Sequence, residues 1–188
     1  YAAFGFDNYR FELSLRPDKR VGSDEMWDKA EVVLTELLDS SGMEYTAEAG
    51  EGAFYGPKID VFIPDALGRD WQCGTVQLDF SLPERFDLEY AAEDGSRQRP
   101  VVVHRAMYGS LERFLGVLIE HLSGVFPLWL APVQAVVVPI ADRHNDFCHE
   151  VGVKFKAAGI RIKVDDSNDR MNAKIRQAQL QKIPYMLV

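Results

Sequence analysis

His104-Arg-Ala-Met-Tyr-Gly-Ser-Leu-Glu-Arg-Phe114 connects an apolar stretch to an amphipathic one, and this segment decides how the first half of the chain folds. Residues 99–103, just before it, predict a strand that is buried on both faces. From residue 111, apolar residues recur with helical spacing and predict a helix that ends near Gly124. The members of that apolar face are Leu111, Phe114, Leu115, Leu118, Ile119 and Leu122.

Arg113 lies in the first turn of this predicted helix. Backbone N–H groups already make that end positive, so a cation there is unfavourable by up to ~1 kcal/mol unless an anion offsets it. With Gly109 and Ser110 before it, the segment predicts a phosphate site made of free amides, the helix dipole and a guanidinium. The alternative is that Arg113 pairs with a carboxylate such as Glu112 or Asp79.

Period-two alternation of apolar and polar residues predicts strands at residues 11–15, 58–63 and 75–80. One helix interrupts these strands, because Ser23 is a good N-cap and Gly42 is a typical stop. The predicted apolar stripe of that helix consists of Met26, Ala30, Val33, Leu34, Leu37 and Leu38. We therefore expect a mainly antiparallel sheet in an α+β domain.

Two prolines in Phe126-Pro-Leu-Trp-Leu-Ala-Pro132 break the pattern, and we place a domain boundary there, with domains at 1–126 and 127–188. Beyond it, strand patterns at 133–140, 160–164 and 183–188 alternate with helix patterns at 145–158 and 169–182. This alternation predicts an α/β domain with a parallel or mixed sheet. Because the chain stops on a strand, we expect this second domain to be truncated.

The composition is that of a folded protein. The 188 residues are 47% apolar and 27% charged, which excludes intrinsic disorder. No apolar run reaches the ~18 residues of a membrane-spanning helix, so we expect no membrane partner. The two cysteines, Cys73 and Cys148, form no CxxC pair, which favours a reducing cytoplasm over a disulfide framework.

Charge is distributed unevenly along the chain. The net charge is −8, but residues 154–182 contain eight basic and three acidic residues, so this stretch carries +5 and the remainder −13. An acidic body with a basic C-terminal part suits a protein that contacts a polyanion at one end. The alternative is that these basic residues form a solvated helix face.

Three further groups of residues are candidates for facing a ligand. Gly50-Glu-Gly-Ala-Phe-Tyr-Gly-Pro-Lys58 is not a P-loop, but its glycines and lysine permit an anion to approach closely; a hairpin with a surface lysine is the alternative. Gln72, Thr75 and Gln77 place neutral polar groups on a strand, which is typical of a ligand cleft. His104 is more typical of a hydrogen-bonded core residue than of a metal ligand, because no HxxxH, HxH or CxxC partner accompanies it.

Residues 50–59, 71–83 and 104–114 together closely resemble the threonyl-tRNA synthetase family, in which the third segment corresponds to class II motif 3. Residues 127–134 resemble that family's junction into its anticodon-binding domain, and residues 183–188 resemble a late strand of that domain. The resemblance covers essentially the whole chain. It implies part of an α+β, antiparallel-sheet class II synthetase catalytic core, followed by an incomplete α/β anticodon-binding domain.

The resemblance also implies an activity, namely ATP-dependent activation of L-threonine to threonyl-adenylate and transfer to the 3′ end of tRNA(Thr), with Mg²⁺ accompanying ATP and a homodimer as the assembly. It implies catalytic roles for Lys58, Gln72 and Arg113, the last on the ATP γ-phosphate. Substrate and ATP contacts would come from Tyr55, Gln72, Thr75, Gln77, Gly109, Ser110, Arg113 and Gly116. Anticodon-domain contacts to tRNA would come from Asn168, Arg170, Lys174, Arg176 and Lys182, the two lysines on phosphates.

In that family a zinc ion binds the amino and hydroxyl groups of threonine, and His104 matches one of its three protein ligands. The other two, a Cys and a His, are expected upstream together with motifs 1 and 2, so we expect this chain alone to be inactive. Alternatives stay open: another class II synthetase such as the prolyl or glycyl enzyme, a non-catalytic synthetase-like protein that binds tRNA and regulates, or a plain two-domain ligand-binding protein.

Overall fold

The computed structural model describes all residues from 1 to 188 and divides into two compact units, Tyr1–Leu118 and Ile119–Val188. The sequence-based boundary between residues 126 and 127 lies further along the chain than this division, and it stays a prediction. No helix in the structure has both the length and the apolarity that crossing a membrane requires.

The first unit is built on a mainly antiparallel sheet. Its strands are β1 (Arg10–Ser14), β2 (Tyr45–Glu48), β3 (Lys58–Pro64), β4 (Asp70–Asp79), β5 (Tyr90–Ala91), β6 (Arg97–Gln98) and β7 (Val102–Ala106). The helices that begin in it are α1 (Asp24–Ser41), α2 (Ser81–Arg85) and α3 (Leu111–His121). Five strands form one sheet in the order β2-β1-β3-β4-β7, in which only β1 and β2 are parallel. The predicted sheet type is confirmed.

Helix α1 begins where the sequence predicts, because the Ser23 hydroxyl accepts a hydrogen bond from the Met26 amide. Its buried stripe is narrower than predicted, because only one side of the helix packs against the sheet, where it contacts Leu13 and Ile59. The residues that lie inside are Trp27, Ala30, Leu34 and Leu38, whereas Met26, Val33 and Leu37 of the predicted stripe are exposed.

The apolar residues of the strand and the helix on either side of the turn 107–110 are also more exposed than predicted. The strand there is β7, which begins at Val102, and it lies at the edge of the sheet. Val103 is therefore 58% exposed, and the prediction that residues 99–103 are buried on both faces is wrong. In α3, Phe114 and Leu118 are buried as predicted, but Leu111 and Leu115 face solvent.

The second unit is a three-stranded parallel sheet with one helix on each face. Its elements are β8 (Ala135–Val137), α4 (Asn145–Ala157), β9 (Ile162–Val164), α5 (Met171–Leu180) and β10 (Tyr185–Leu187). The strand order is β10-β8-β9, which confirms the predicted α/β class. Successive residues of β8 point to opposite faces, so Val137 packs with Cys148 of α4 and Val136 packs with Ala178 of α5.

The five-stranded sheet of the first unit has one apolar and one polar face. Leu13 and Ile59 lie on the apolar face, which α1 covers. On the other face, the strand register sets Lys58 opposite Gln77, and Gln77 opposite His104. Side chains directly opposite each other on neighbouring strands are close enough to interact. The polar face therefore gathers residues that are far apart in the sequence.

Candidate active site

A concave polar surface lies over β4 and β7. It forms a cavity of about 680 Å³ that is lined by Thr75, Gln77 and Asp79 of β4, by His104 of β7 and by Tyr55 from the turn before β3. The three β4 residues share one face because side chains alternate along a strand. Four of the predicted site residues, Tyr55, Thr75, Gln77 and His104, are thus placed in one cavity.

A series of hydrogen bonds fixes the polar groups of this cavity. The Tyr55 hydroxyl donates to Gln77 Oε1, and Gln77 Nε2 donates to Thr75 Oγ1 at 3.1 Å. The Tyr55 ring also meets the His104 imidazole edge-on, with 6.2 Å between the ring centroids. Because the oxygen and the nitrogen of the Gln77 amide each have a partner, its orientation is set by the protein itself.

His104 is oriented by a buried carboxylate. Its Nε2 lies 2.8 Å from Asp79 Oδ2, and its side chain is 42% exposed, which leaves Nδ1 for another partner. Asp79 Oδ1 accepts from the backbone amides of Ser81 at 2.7 Å and Leu82 at 3.0 Å, where α2 begins. Burial raises the pKa of Asp79, but the hydrogen bonds from His104 and from the two amides outweigh it, so the net pKa lies below its usual value.

The chain offers one good metal ligand at this place. No group of three or more His, Cys, Asp or Glu side chains is arranged to hold a metal ion. Burial raises the pKa of the Cys73 thiol, although the charge of Arg113 acts in the opposite direction. The raised pKa disfavours the thiolate that zinc binds. These residues therefore do not form a zinc site by themselves. His104 Nδ1 fits the part of a single ligand, because metal-bound histidines commonly give their other ring nitrogen to a carboxylate.

Arg113 does not make the carboxylate pair that was the alternative prediction for it. Its Nη1 donates to the backbone oxygen of Gln72 at 2.8 Å, and its guanidinium lies 5.9 Å from the centroid of the Trp71 ring. Glu112 instead accepts from the Ser110 hydroxyl at 2.9 Å, and Asp79 is engaged by His104. A guanidinium carries five N–H donors, so most of those on Arg113 remain for a ligand.

The turn before α3 explains the role of two of the predicted residues. Ser110 Oγ accepts from the Arg113 amide at 3.3 Å, which caps the helix. Gly109 has a φ of +64°, and a Cβ there would lie 2.5 Å from the Cys73 carbonyl oxygen. Only glycine fits this conformation without strain. Gly116 differs, because a Cβ at that helical position would meet nothing within 4 Å.

The remaining two predicted catalytic residues meet at a carboxylate that the sequence analysis did not single out. Asp60 of β3 is only 1% exposed; its Oδ2 pairs with the Lys58 ammonium, and its Oδ1 accepts from Gln72 Nε2 at 2.6 Å. Period-two alternation in Lys58-Ile-Asp60 could have placed the two charges on one face. That alternation does not predict that Gln72 reaches Asp60. A β-bulge turns Gln72 to this face: Val61 pairs with Gly74, but the next residue, Phe62, pairs with Gln72.

The hairpin between β3 and β4 is closed by a second buried carboxylate that sequence reasoning missed. Asp65 Oδ1 accepts from the Leu67 and Arg69 amides, both at 2.9 Å, and its Oδ2 accepts from Arg69 Nε and from Trp71 Nε1 at 2.9 Å. The hydrogen bond from Trp71 lowers the pKa of Asp65 most, and those from Arg69 and Leu67 lower it further. Together they outweigh the effect of burial and hold the pKa far below its usual value. Asp65 thereby orients Trp71, on whose ring Arg113 lies.

The predicted tRNA-contacting residues of the second unit fall into two groups. Lys174 is 5% exposed, and its ammonium donates to the Asp165 carbonyl at 2.9 Å, so it faces the interior instead of a solvent-side phosphate. This placement differs from the role expected of Lys174, because the end of β9 supplies it with an internal acceptor. The residues with exposed positions are Asn168, Arg170, Arg176 and Lys182.

Comparison with known proteins assigns both units. A family model described as "tRNA synthetase class II core domain (G, H, P, S and T)" matches residues 1–122, and one described as "Anticodon binding domain" matches residues 134–188. The chain belongs to the class II tRNA synthetase family, and the predicted fold class, a partial synthetase core followed by an anticodon-binding domain, is confirmed.

Within that family the similarity is to the threonine enzymes. The chain is 54% identical over 188 residues to a threonine–tRNA ligase of Desulforamulus reducens and 56% identical over 185 residues to one of Acidithiobacillus ferrooxidans. These matches cover 100% and 98% of the chain, but the chain spans only 29% of the length of each relative.

A solved structure supports the same relationship. It is described as the RNA binding domain of threonyl-tRNA synthetase from Cryptosporidium parvum, and it superposes with a TM-score of 0.93 at 41% identity. The match covers 99% of this chain and 47% of that one. The resemblance to threonyl-tRNA synthetase inferred from the three sequence segments is confirmed.

Proposed function

We propose that this chain is part of a threonine–tRNA ligase, which activates L-threonine with ATP and transfers it to the 3′ end of tRNA(Thr). The observation that carries the proposal is the polar sheet face, which gathers predicted residues from three strands and from the turn before β3, namely Tyr55, Lys58, Gln72, Thr75, Gln77 and His104. It is supported by 54% identity to a curated threonine–tRNA ligase along the whole chain. The remaining parts of the enzyme would come from outside these residues.

The proposed roles follow from which donors and acceptors each side chain has left. Arg113 donates one hydrogen bond to the Gln72 carbonyl and presents its other N–H groups to the ATP γ-phosphate. Lys58 and Gln72 act at the reacting centre. Tyr55, Thr75 and Gln77 bind ATP and threonine in the cavity. Gly109 and Ser110 shape the turn that presents Arg113, and Gly116 stays a proposed contact of the nucleotide pocket.

Two bound ions belong to the proposal. Mg²⁺ would accompany ATP as its counter-ion. Zinc would take His104 Nδ1 as one ligand, with Asp79 fixing the other ring nitrogen and two further protein ligands supplied from outside this chain. Zinc supplies a Lewis acid that binds the amino and hydroxyl groups of threonine.

The second unit would bind tRNA. Asn168, Arg170, Arg176 and Lys182 have exposed positions, and they belong to the basic stretch 154–182 of an otherwise acidic chain. Lys174 supports the end of β9 from inside. The division into a catalytic part at 1–126 and an anticodon-binding part at 127–188, a homodimeric assembly and a cytoplasmic location complete the proposal.

The test is a chimera in which these 188 residues replace the matching stretch of the Desulforamulus reducens ligase. We expect threonine-dependent ATP–pyrophosphate exchange, with proline and serine as control amino acids, and aminoacylation of tRNA(Thr). The chain by itself should show no exchange. A chimera that folds with the melting temperature of the intact ligase but shows no exchange would contradict the proposal. Retained tRNA binding in that case would favour the non-catalytic, tRNA-binding alternative.

A further inference from the structure

We propose that Asp60 is a positioning residue of this site, which holds the Lys58 ammonium and the Gln72 amide in their working orientation without touching a ligand itself. The inference rests on the proposed function for its catalytic consequence, but the arrangement on which it depends is a property of this chain. Neither residue pattern nor family resemblance singled out Asp60.

The burial of Asp60 requires a reason. A carboxylate removed from water is costly unless it is paired and hydrogen-bonded. Asp60 is 1% exposed and satisfies each oxygen with one partner, Lys58 at Oδ2 and Gln72 at Oδ1. Both partners are less buried, since the side chain of Lys58 is 19% exposed and Gln72 is partly buried. The carboxylate therefore lies beneath two side chains that reach the surface of the polar face.

The chemistry of the carboxylate determines how Gln72 is presented. An ionised carboxylate only accepts hydrogen bonds, so the nitrogen of the Gln72 amide must face Asp60 and the oxygen Oε1 is left for another partner. Gln72 then offers an acceptor, which suits an amino or ammonium group of a ligand better than a phosphate oxygen. The Gln72 backbone carbonyl meanwhile receives Arg113 at 2.8 Å.

A contrast with Asp65 separates positioning from ordinary stabilisation. Both carboxylates are buried, but the partners of Asp65 all lie between Leu67 and Trp71, in the turn that joins β3 to β4 and the first residues of β4. The two side-chain partners of Asp60 are residues already assigned to the site on separate strands, Lys58 of β3 and Gln72 of β4. Loss of Asp60 would release both of them at once.

The first experiment examines the chain itself by NMR. Glutamine side chains are labelled with ¹⁵N, and the Gln72 signals are assigned with Gln72→Met. We expect the Nε2 hydrogens of Gln72 to exchange with water at least ~10-fold faster in Asp60→Asn, because a hydrogen bond to a charged group is lost. Glu12→Gln is the matched control, since Glu12 lies opposite Asp60 on β1 but pairs with Arg10. Unchanged Gln72 exchange in Asp60→Asn would overturn the proposal.

The second experiment measures ATP–pyrophosphate exchange in the chimera as a double-mutant cycle. Asp60→Asn should lower kcat ~100-fold, the order of effect that misplaced catalytic groups produce. Added to Lys58→Met/Gln72→Met, the same substitution should cost less than ~3-fold, because both groups that it positions are already gone. An equal loss in both backgrounds would show a general structural role and overturn the proposal.

Two checks keep the outcomes distinct. If Asp60→Asn does not fold, Asp60→Asn/Lys58→Met/Gln72→Met removes the unpaired ammonium as well and is compared with Lys58→Met/Gln72→Met; a further loss of more than ~3-fold overturns the proposal. If the unsubstituted chimera is inactive, the proposed function fails. The Gln72 exchange rates in the chain then test independently whether Asp60 positions the Gln72 amide.

Discussion

Gly109 and Gly116 separate a backbone that must be glycine from one that need not be, although both were assigned to the nucleotide pocket. At Gly109 two costs add in an alanine variant. A φ of +64° costs an L-residue ~1–2 kcal/mol, and moving the Cβ away from the Cys73 oxygen, 2.5 Å distant, costs a further ~1–3 kcal/mol. We expect Gly109→Ala to lose ~2–5 kcal/mol of unfolding free energy.

Two matched variants isolate the terms. Gly95→Ala carries a φ of +80° but meets nothing within 4 Å, so it should lose only the ~1–2 kcal/mol of backbone strain. Gly116→Ala lies inside α3 with open space around it, and it should gain ~0.5–1 kcal/mol, because alanine restricts the unfolded chain and favours the helix. The expected order of stability is therefore Gly116→Ala, the unsubstituted chain, Gly95→Ala and Gly109→Ala.

The assay is urea unfolding followed by the fluorescence of Trp27 and Trp71, in a Trp129→Phe background so that the signal reports the first unit. Unchanged m-values would show that the variants alter stability and not the unfolding transition itself. If Gly109→Ala is no less stable than Gly95→Ala, the close approach to Cys73 does not matter and the reasoning is refuted. A destabilised Gly116→Ala would show a packing contact that the structure lacks.

Three further predictions concern single polar groups. Ser14 Oγ is fully buried without a hydrogen-bond partner, so Ser14→Ala should raise the free energy of unfolding by ~1 kcal/mol in urea titrations; a loss instead would reveal a bound water as its partner. The pKa of Asp79 is lowered by folding, so its contribution is present above the unfolded pKa of ~4 and is lost as the pH falls through the folded pKa; the stability gap between the chain and Asp79→Asn should shrink on acidification, and a gap that is constant from pH 6 to pH 2 would contradict this. Lys174→Gln should destabilise the second unit by ~1.5–3 kcal/mol but leave the salt dependence of tRNA binding unchanged, whereas exposed Arg176→Gln should do the reverse and reduce the salt slope by about one; identical behaviour of the two variants would refute the division between internal and tRNA-facing residues.

Both sheet types could be predicted from the sequence, because the hydrophobic period and the residues that begin and end helices act locally. Alternation in Phe11-Glu-Leu-Ser-Leu15 and the Ser23 cap are properties of neighbouring residues, and the structure forms β1 and α1 at those places. Exposure was harder to predict, because it depends on which other elements cover a surface. Val103 is apolar but lies on an edge strand, and Lys174 is charged but finds an internal carbonyl.

The site itself turns on a feature that no local pattern contains. Strict alternation along β4 would put Cys73 on the same face as Thr75 and Gln77, and would turn Gln72 toward the other face. The bulge opposite Val61 and Phe62 shifts the register by one residue, so Gln72 faces Asp60, the partner of Lys58, while Cys73 has no partner residue on β3. Since a one-residue shift exchanges the two faces of a strand, this bulge makes Gln72 a site residue and leaves Cys73 a buried thiol. Family resemblance pointed to Gln72; only the pairing of β3 with β4 explains how it reaches Asp60.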